Sequence, residues 1–172
     1  MKGKSGLAII ETVVDNIHDT DLPAVKNDSA AILIDTADMQ PKLESLVSKQ
    51  ITLGLGAVPV TETLFTVTGE VEVTVIGYID VAPTSIGALT LEVGVAGATA
   101  GLIAQTGKAV LLIDLLWIDA TPAVLITKPS NKVIANGADI IHTIAGADAT
   151  AGQITYYCWW RPLSSDGNVV AV

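Results

Sequence analysis

Hydrophobic and polar residues alternate along most of this chain. In EVEVTVIGYIDV, Val71, Val73 and Val75 fall on one side of an extended backbone, and Glu72 and Thr74 fall on the other. The segment ALTLEVGV repeats this pattern with its leucines and valines. Similar short apolar runs predict further strands at 61–69, 101–106, 109–120, 123–129, 132–135, 138–146 and 153–161.

Turn-forming residues separate these runs, as in the stretches APTS, DATP, KPSN and ANGAD. Roughly eight or nine short strands with no helical pattern between them are typical of an antiparallel β-sandwich. The sequence therefore predicts a mainly β protein, with a sandwich domain over residues 58–172. The number of strands does not distinguish a jelly-roll topology from an immunoglobulin-like one, so both remain open.

Residues 1–50 follow a different spacing, with apolar side chains seven residues apart. In a heptad reading, Val25, Ile32, Met39 and Leu46 take the d positions, and Leu22 begins an a series that continues with Ser29, Thr36 and Leu43. Pro23 suits the first turn of such a helix, whereas Pro41 would kink or end it. This N-terminal segment is predicted to be a short helix packed on its own domain, a helix of a multi-chain bundle, or an extended arm.

Four of the seven aromatic residues of the chain lie in YYCWW, near its C-terminus. Alternation places Tyr156, Cys158 and Trp160 on one face of this strand, which is apolar enough to fill a core. The other face carries Tyr157, Trp159 and Arg161. An exposed stripe of this composition is typical of a protein–protein interface and, less often, of a surface that stacks sugars. The third interpretation is a second core face.

The composition is unusually apolar for a soluble domain. Half of the residues are hydrophobic, only 16% are charged, and the mean hydropathy is positive, whereas a typical soluble domain is about a quarter charged. The longest apolar run, AVLLIDLLWI, has ten residues and contains Asp114, and a membrane helix needs roughly 20 apolar residues. We therefore expect no membrane partner, and we expect the excess apolar surface to be buried against other protein in an oligomer or larger assembly.

The formal net charge is −9, and the nine lysines and arginines are scattered singly. Binding to a phosphate backbone requires clustered cations, so no nucleic-acid partner is expected. The N-terminus lacks an apolar stretch long enough for a signal peptide, and a single cysteine excludes an internal disulfide. These features predict a chain that is not exported and that folds in a reducing cytosol.

Residues with catalytic potential do not form a recognisable site. His142 lies in a strand with no cysteine or histidine at ligand spacing, so we expect a hydrogen-bonded or partly exposed structural histidine. Cys158 has aromatic neighbours and no cationic ones, which predicts a buried, protonated thiol. Asp114 and Asp119 flank a strand and could form a carboxylate pair, although a charge that blocks sheet pairing explains Asp114 as well. We expect no enzyme activity, no metal and no cofactor.

Three stretches together resemble a class of small virion proteins of tailed bacteriophages: FTVTGEVEVTVIG, LTLEVGVAGATAGLIAQT and ADIIHTIAGADATAGQITYYCWWRPLSSDGNVVAV. The earlier segment DNIHDTDLPAVKNDSAAILIDT is similar to heptad-like segments that precede β domains in phage fibres and decoration proteins. The resemblance covers most of the chain, and its motifs are packing patterns, not catalytic signatures. It implies a structural role, often as a trimer fixed on a capsid or tail, and it carries over no binding residue.

These observations together predict a structural virion protein, either a capsid decoration (cement) protein or a short head-fibre protein, assembled in the cytoplasm of a bacterial host. Its expected partners are copies of itself, as a trimer, and the major capsid protein or another virion protein. The expected contact residues are Leu22, Val25, Ile32, Met39, Leu46, Tyr157, Trp159 and Arg161. The alternative is a carbohydrate- or receptor-binding β-sandwich module of a phage tail or fibre protein.

Overall fold

The computed structural model describes residues 44–54 and 59–172. These residues form ten strands and a single 3₁₀ turn at Lys108–Val110. The strands are β1 (Ser45–Thr52), β2 (Val60–Thr68), β3 (Val71–Thr84), β4 (Thr90–Val95), β5 (Ala98–Gly107), β6 (Leu116–Trp117), β7 (Lys132–Ile134), β8 (Ile140–Ala145), β9 (Ala151–Pro162) and β10 (Asn168–Ala171). The prediction of a mainly β fold is confirmed.

The strands form two antiparallel sheets with a shared hydrophobic core between them. One sheet, called the β1 sheet, has the order β1-β9-β3, and both β6 and β7 pair with the remaining edge of β3. The other, called the β2 sheet, has the order β10-β2-β8-β4-β5. The predicted antiparallel sandwich is therefore confirmed.

Strand pairing is nested along the chain. β4 pairs with β5, β3 with β6 and β7, β2 with β8, and β1 with β9. Nesting of this kind makes one long antiparallel ribbon, which is wrapped so that successive pairs belong alternately to the two sheets. This arrangement is a jelly roll and not an immunoglobulin-like sandwich. β10 extends the β2 sheet by pairing with Phe65–Thr68 of β2.

The core is filled by alternate residues of the strands. Val71, Val73 and Val75 of β3 are each at most 3% exposed, as their spacing predicts. Leu91 and Val93 of β4 are fully buried on the facing sheet. Burying one such side chain contributes about 1.5–3 kcal/mol relative to leaving it in water. The two strongly alternating strands therefore supply much of the stability of the sandwich.

Two segments predicted as strands are mostly irregular. Of residues 109–120, only Leu116–Trp117 forms a strand, and residues 123–129 contribute a single bridging residue, Ala123. The first run breaks at Asp114, whose backbone φ is 63°. A φ in that range turns the chain, so the apolar residues before and after it cannot continue in one strand.

The sandwich also includes a strand that sequence reasoning missed. β1 starts at Ser45, inside the range 1–50 that was predicted as the N-terminal segment. Val47 and Ile51 of β1 face the core, but Lys49 lies between them on the same face. Because its charge interrupts the apolar series, the pattern did not indicate a strand here.

One layer of the core crosses the β1 sheet in register. Lys49 of β1, Tyr156 of β9, Gly77 of β3 and Trp117 of β6 are successive cross-strand partners. The rings of Tyr156 and Trp117 are fully buried, and their centroids are 6.2 Å apart. A Cβ atom at Gly77 would lie 3.0 Å from Trp117 and 3.5 Å from Tyr156. The missing side chain at Gly77 therefore leaves the space that the two rings fill.

The facing layer of the β2 sheet contains His142, on the central strand β8. Its side chain is 1% exposed, and its ring centroid lies 5.7 Å from that of Tyr156 in the opposite sheet. Neither ring nitrogen has a hydrogen-bond partner among the described residues, and the Tyr156 hydroxyl has none there either. His142 has two cross-strand neighbours, Val93 and Glu62, and the carboxylate of Glu62 lies 3.5 Å from the ammonium of Lys49. The expectation of a hydrogen-bonded or partly exposed histidine is wrong, because this face of β8 is the inner one.

Replacing Gly77 by valine should destabilise the fold, because the added methyl groups compete with Trp117 and Tyr156 for space. We expect the free energy of unfolding to fall by about 1–3 kcal/mol, the usual cost of overpacking a core. Gly107→Val is the matched control, since nothing lies within 4 Å of a Cβ at Gly107 and its φ of −75° suits any residue. Urea unfolding followed by tryptophan fluorescence measures both variants, and equal midpoints would contradict this account of the layer.

The burial of His142 should make the fold sensitive to acid. Burial lowers the pKa of this imidazole from 6.5 to about 4, so between those values the unfolded chain binds a proton that the folded chain does not. The stability that depends on His142 being neutral is therefore fully present above about pH 6.5. As the pH falls towards 4, the free energy of unfolding decreases by up to about 3 kcal/mol.

Urea unfolding at a series of pH values, for the native chain and for His142→Phe, measures this loss. Carboxylates also titrate in this range, so the informative quantity is the difference between the two proteins in the slope of unfolding free energy against pH. We expect a shallower slope for His142→Phe, because phenylalanine fills a similar volume and cannot bind a proton. If the two proteins gave parallel curves of unfolding free energy against pH, His142 would not be the cause of the acid sensitivity.

Candidate interaction surface

The outer face of the β1 sheet presents the second set of residues from the aromatic strand. Tyr157, Trp159 and Arg161 of β9 point away from the core and are all at least partly exposed. Their neighbours lie on the same side, with Leu46 of β1 opposite Trp159 and Ile76 of β3 opposite Tyr157. The predicted division of β9 into an inner and an outer face is confirmed.

An apolar groove of about 430 Å³ lies over this part of the sheet. We call it the Trp159 groove. It is lined by the apolar residues Leu46, Ile76, Leu116, Ile126, Tyr157 and Trp159 and by Lys128. The rings of Tyr157 and Trp159 are 6.2 Å apart and inclined by 40°, so they form one continuous aromatic surface. The groove can therefore accept apolar groups, but it offers few polar ones.

Lys128 lines the groove without adding a net charge to it. Its Nζ donates a hydrogen bond to Glu44 Oε2 at 2.7 Å and lies 5.6 Å from the centre of the Trp159 ring. This hydrogen bond lowers the pKa of Glu44. Arg161 pairs in the same way with Glu72. Exposed ion pairs of this kind add only about 0–1 kcal/mol to stability, so their main effect is to neutralise the surface near Trp159.

Part of the groove comes from the β6–β7 loop, residues 118–131, whose Ile126 and Lys128 lie over the outer face of the β1 sheet. Ala123 exchanges two backbone hydrogen bonds with Leu116, at 2.9 and 3.0 Å. Near the other end of the loop, the side-chain oxygen of Asn131 accepts a hydrogen bond from Thr74 Oγ1. The loop explains why Thr74, which points outward from β3, is only 2% exposed.

Towards the beginning of β9, the same outer face becomes polar. Thr155 Oγ1 donates to Asp80 Oδ2 at 2.8 Å, and Gln50 Nε2 donates to Thr155 Oγ1 at 3.2 Å. Gln153 Nε2 donates to Gln50 Oε1 at 3.1 Å. The outer face is thus divided into an apolar part around the groove and a polar part whose side chains bond to one another.

Four of the eight predicted contact residues lie in the described structure, and they come together on this face. Leu46 reaches it from strand β1, and not from the d position of a helix, and lies beside the three outward residues of β9. The other four, Leu22, Val25, Ile32 and Met39, lie outside the described residues. Their contacts stay a prediction.

Sequence reasoning did not assign Ile76, Leu116, Ile126 or Lys128 to this surface. Ile76 carried a signal, because it is an apolar residue in the outward series of β3 that otherwise begins with Glu72 and Thr74. Leu116 joins the groove because β6 pairs with β3, and Ile126 and Lys128 join it because the β6–β7 loop folds back over the sheet. A contact of that kind between distant segments leaves no local pattern.

The inner face of β9 holds Cys158 beside Tyr156. Cys158 is fully buried, and burial raises the pKa of its thiol to about 12. A thiol with that pKa is protonated at neutral pH and is a poor nucleophile. Burial likewise raises the pKa of Tyr156, with a smaller contribution from the negative charge of Glu62. The prediction of a buried, protonated cysteine is confirmed.

The two candidate carboxylates are engaged in local hydrogen bonds. Asp114 accepts one from the Tyr78 hydroxyl at 2.8 Å. Asp119 accepts two from Thr121, each at 2.7 Å, and these lower the pKa of Asp119, whereas a general acid needs a raised one. Among the described residues, no group of three or more His, Cys, Asp and Glu side chains could hold a metal ion. No helix in that part of the chain is long and apolar enough to cross a membrane.

Comparisons with known proteins give matches of low sequence identity and low TM-score. No family model and no curated protein matches it. A chain of the acid-stable capsid of Helicobacter pylori bacteriophage KHP30 is 11% identical, with a TM-score of 0.44, over 76% of this chain and 100% of that one. A chain of the disulfide-linked pili that form Bacillus endospore appendages is 15% identical, with a TM-score of 0.32, over 71% and 92% of the two chains.

A chain of infectious bursal disease virus, Gx strain, is 11% identical, with a TM-score of 0.22, over 74% of this chain and 39% of that one. At TM-scores this low the likeness carries no argument about function, and even a shared fold hosts many functions. The groove and its residues therefore have to support any functional conclusion.

Cys158 should not react with Ellman's reagent while the protein is folded, because its thiol is both buried and protonated. We expect full labelling in denaturant and essentially none in buffer over the same time. Ile86→Cys is the control, since Ile86 is fully exposed and a thiol there should react at once in the folded protein. Rapid labelling of the native chain would contradict the assignment of Cys158 to the core.

Proposed function

We propose that this chain is a structural protein of a tailed-bacteriophage virion, either a capsid decoration protein or a short head-fibre protein. In this proposal it is made in the cytoplasm of the bacterial host, forms a homo-oligomer, most simply a trimer, and attaches to the major capsid protein or another virion protein. The observation that carries the proposal is the Trp159 groove, a concave apolar surface outside a core that is already filled. The sequence resemblance and the jelly-roll topology, which recurs in viral capsid domains, support it.

The residues of the groove favour a protein partner. Trp, Tyr and Arg are the residues most enriched at the energetic centres of interfaces, and Trp159, Tyr157 and Arg161 stand side by side here. The aliphatic residues around them provide apolar surface that gains about 25 cal/mol for each Å² removed from water. A partner that inserts apolar side chains would use this surface fully.

A carbohydrate partner has less support. Sugar hydroxyls lose water on binding and need polar groups beside the aromatic ring to replace it. The charged residue that lines the groove, Lys128, is already bonded to Glu44. The polar part of the face lies nearer the start of β9, outside the groove. There the side chains of Gln50, Gln153 and Thr155 form hydrogen bonds with one another.

The proposal includes no catalytic step, no cofactor and no nucleic-acid partner. The cysteine is buried and protonated, which removes the best nucleophile among the described residues. Lys128 and Arg161 are each paired with a carboxylate, and the whole chain carries a net charge of −9. A surface of that charge repels phosphate backbones.

Purified particles of the phage that encodes the chain test this proposal. We expect the chain to be a stoichiometric component of the particle, because a structural protein is built into a symmetric lattice. Mass spectrometry of purified particles measures its presence, and electron cryomicroscopy locates it on the head. Its absence from complete, infectious particles would contradict the proposal.

Substitution of Trp159 tests the role of the groove. Trp159→Ala should weaken incorporation into particles by at least about tenfold, because an interface tryptophan often contributes about 2 kcal/mol or more. Ile86→Ala is the matched control, since Ile86 is a fully exposed apolar residue that does not line the groove. If Trp159→Ala is incorporated normally but loses binding to glycans of the host surface, the carbohydrate alternative is correct.

A further inference from the structure

The β6–β7 loop presents two apolar side chains to solvent right next to the Trp159 groove. Val124 is 77% exposed and Leu125 is 85% exposed, and we call this pair the Leu125 tip. The residues on either side contact the rest of the domain: Ala123 bonds to Leu116, and Ile126 lines the groove. The Leu125 tip is therefore an exposed apolar projection directly beside the apolar Trp159 groove.

Two other residues of the loop also form hydrogen bonds to residues outside it. Lys128 donates a hydrogen bond to Glu44 at 2.7 Å, and Asn131 accepts one from Thr74. A segment that is already ordered loses little conformational entropy when a partner covers it. The loop is thus a preformed contact element. Its tip is mostly exposed on its own sandwich and stays available to a partner.

We propose that the Leu125 tip of one copy of this chain enters the Trp159 groove of a second copy. The inference rests on the proposed function, because it names the contact through which a structural protein would associate with itself. The Leu125 tip and the Trp159 groove lie on the same chain, because Leu125 of the tip is followed directly by Ile126 of the groove. Because one patch carries both halves of the contact, each copy can insert its tip into the groove of the other, and the contact closes about a two-fold axis. Such a contact pairs two copies and is separate from the one that would close a trimer.

The charges on this face favour a second copy over an ionic partner. Two copies that each carry a net charge of −9 repel one another over most of their surfaces. Near the groove, however, Lys128 is paired with Glu44 and Arg161 with Glu72. The Leu125 tip has no ionisable group, so the contact buries no unpaired charge, which would oppose association.

Disulfide trapping between two single variants tests the contact. Leu46→Cys places a thiol at the groove, where Leu46 is 53% exposed, and Leu125→Cys places one on the tip. When the two full-length variants are mixed under mild oxidation, we expect at least about tenfold more mixed disulfide than for Leu46→Cys mixed with Ile86→Cys, because a specific contact raises the effective thiol concentration. The native Cys158 is buried and contributes little background.

Light scattering of the same full-length proteins completes the test. Leu125→Asp should shift the measured mass towards 17.7 kDa, because a carboxylate on the tip would have to be desolvated in the groove, whereas Ile86→Asp should not. A protein that is oligomeric and found in particles, but gives no mixed disulfide above the Ile86 control, would overturn the tip-in-groove contact and leave the structural role intact. A chain that is monomeric and absent from particles would overturn both.

Discussion

The pairing of β9 with β1 on one edge and with β3 on the other determines both faces of the β1 sheet at once. In this register Tyr156 lies between Lys49 and Gly77, and Trp159 lies between Leu46 and Thr74. A slip of one residue would turn Tyr157, Trp159 and Arg161 inward and bring Tyr156 and Cys158 to the surface. Burying the guanidinium of Arg161 without Glu72 would be costly, so the register is strongly specified.

The inner face created by this register is not uniformly apolar. Tyr156 and His142 meet between the sheets with buried polar atoms that have no partner among the described residues. Each such atom costs about 1–3 kcal/mol. The surrounding aliphatic layers offset that cost, since fully buried residues such as Val71, Leu91 and Ile154 surround the central strands. The stability of the sandwich is thus supplied by its apolar layers, and its response to pH is determined by one polar layer.

The outer face of the same sheet accounts for part of the unusual composition of the chain. Leu46, Ile76 and Trp159 gather at a groove, and Leu125 projects beside it. Leu46 and Leu125 are largely exposed, so they add hydropathy and contribute little to the stability of the monomer, whereas Ile76 is already buried beneath the groove. The jelly roll itself accommodates many functions. The argument for assembly therefore comes from this surface and from the pairing of its charges, and not from the fold.

The local alternation of the sequence was sufficient to predict the β class, the sandwich, the inward residues of β3 and β4, and the two faces of β9. These are properties of an extended backbone, in which neighbouring side chains point to opposite sides whatever the rest of the chain does. The same reasoning missed β1, where Lys49 interrupts the apolar series, and β10, which is only four residues long. It also misjudged residues 109–120, where Asp114 turns the chain.

Tertiary structure alone decided which strands are neighbours, that the topology is a jelly roll, and that the face of β8 bearing His142 is the inner one. It also brought Leu46, Leu116 and Ile126 to Trp159, although these residues lie far apart along the chain. The sequence determined which side of each strand a residue occupies, because that depends on the next residue. What each side faces depends on contacts between distant segments, and no local pattern encodes them.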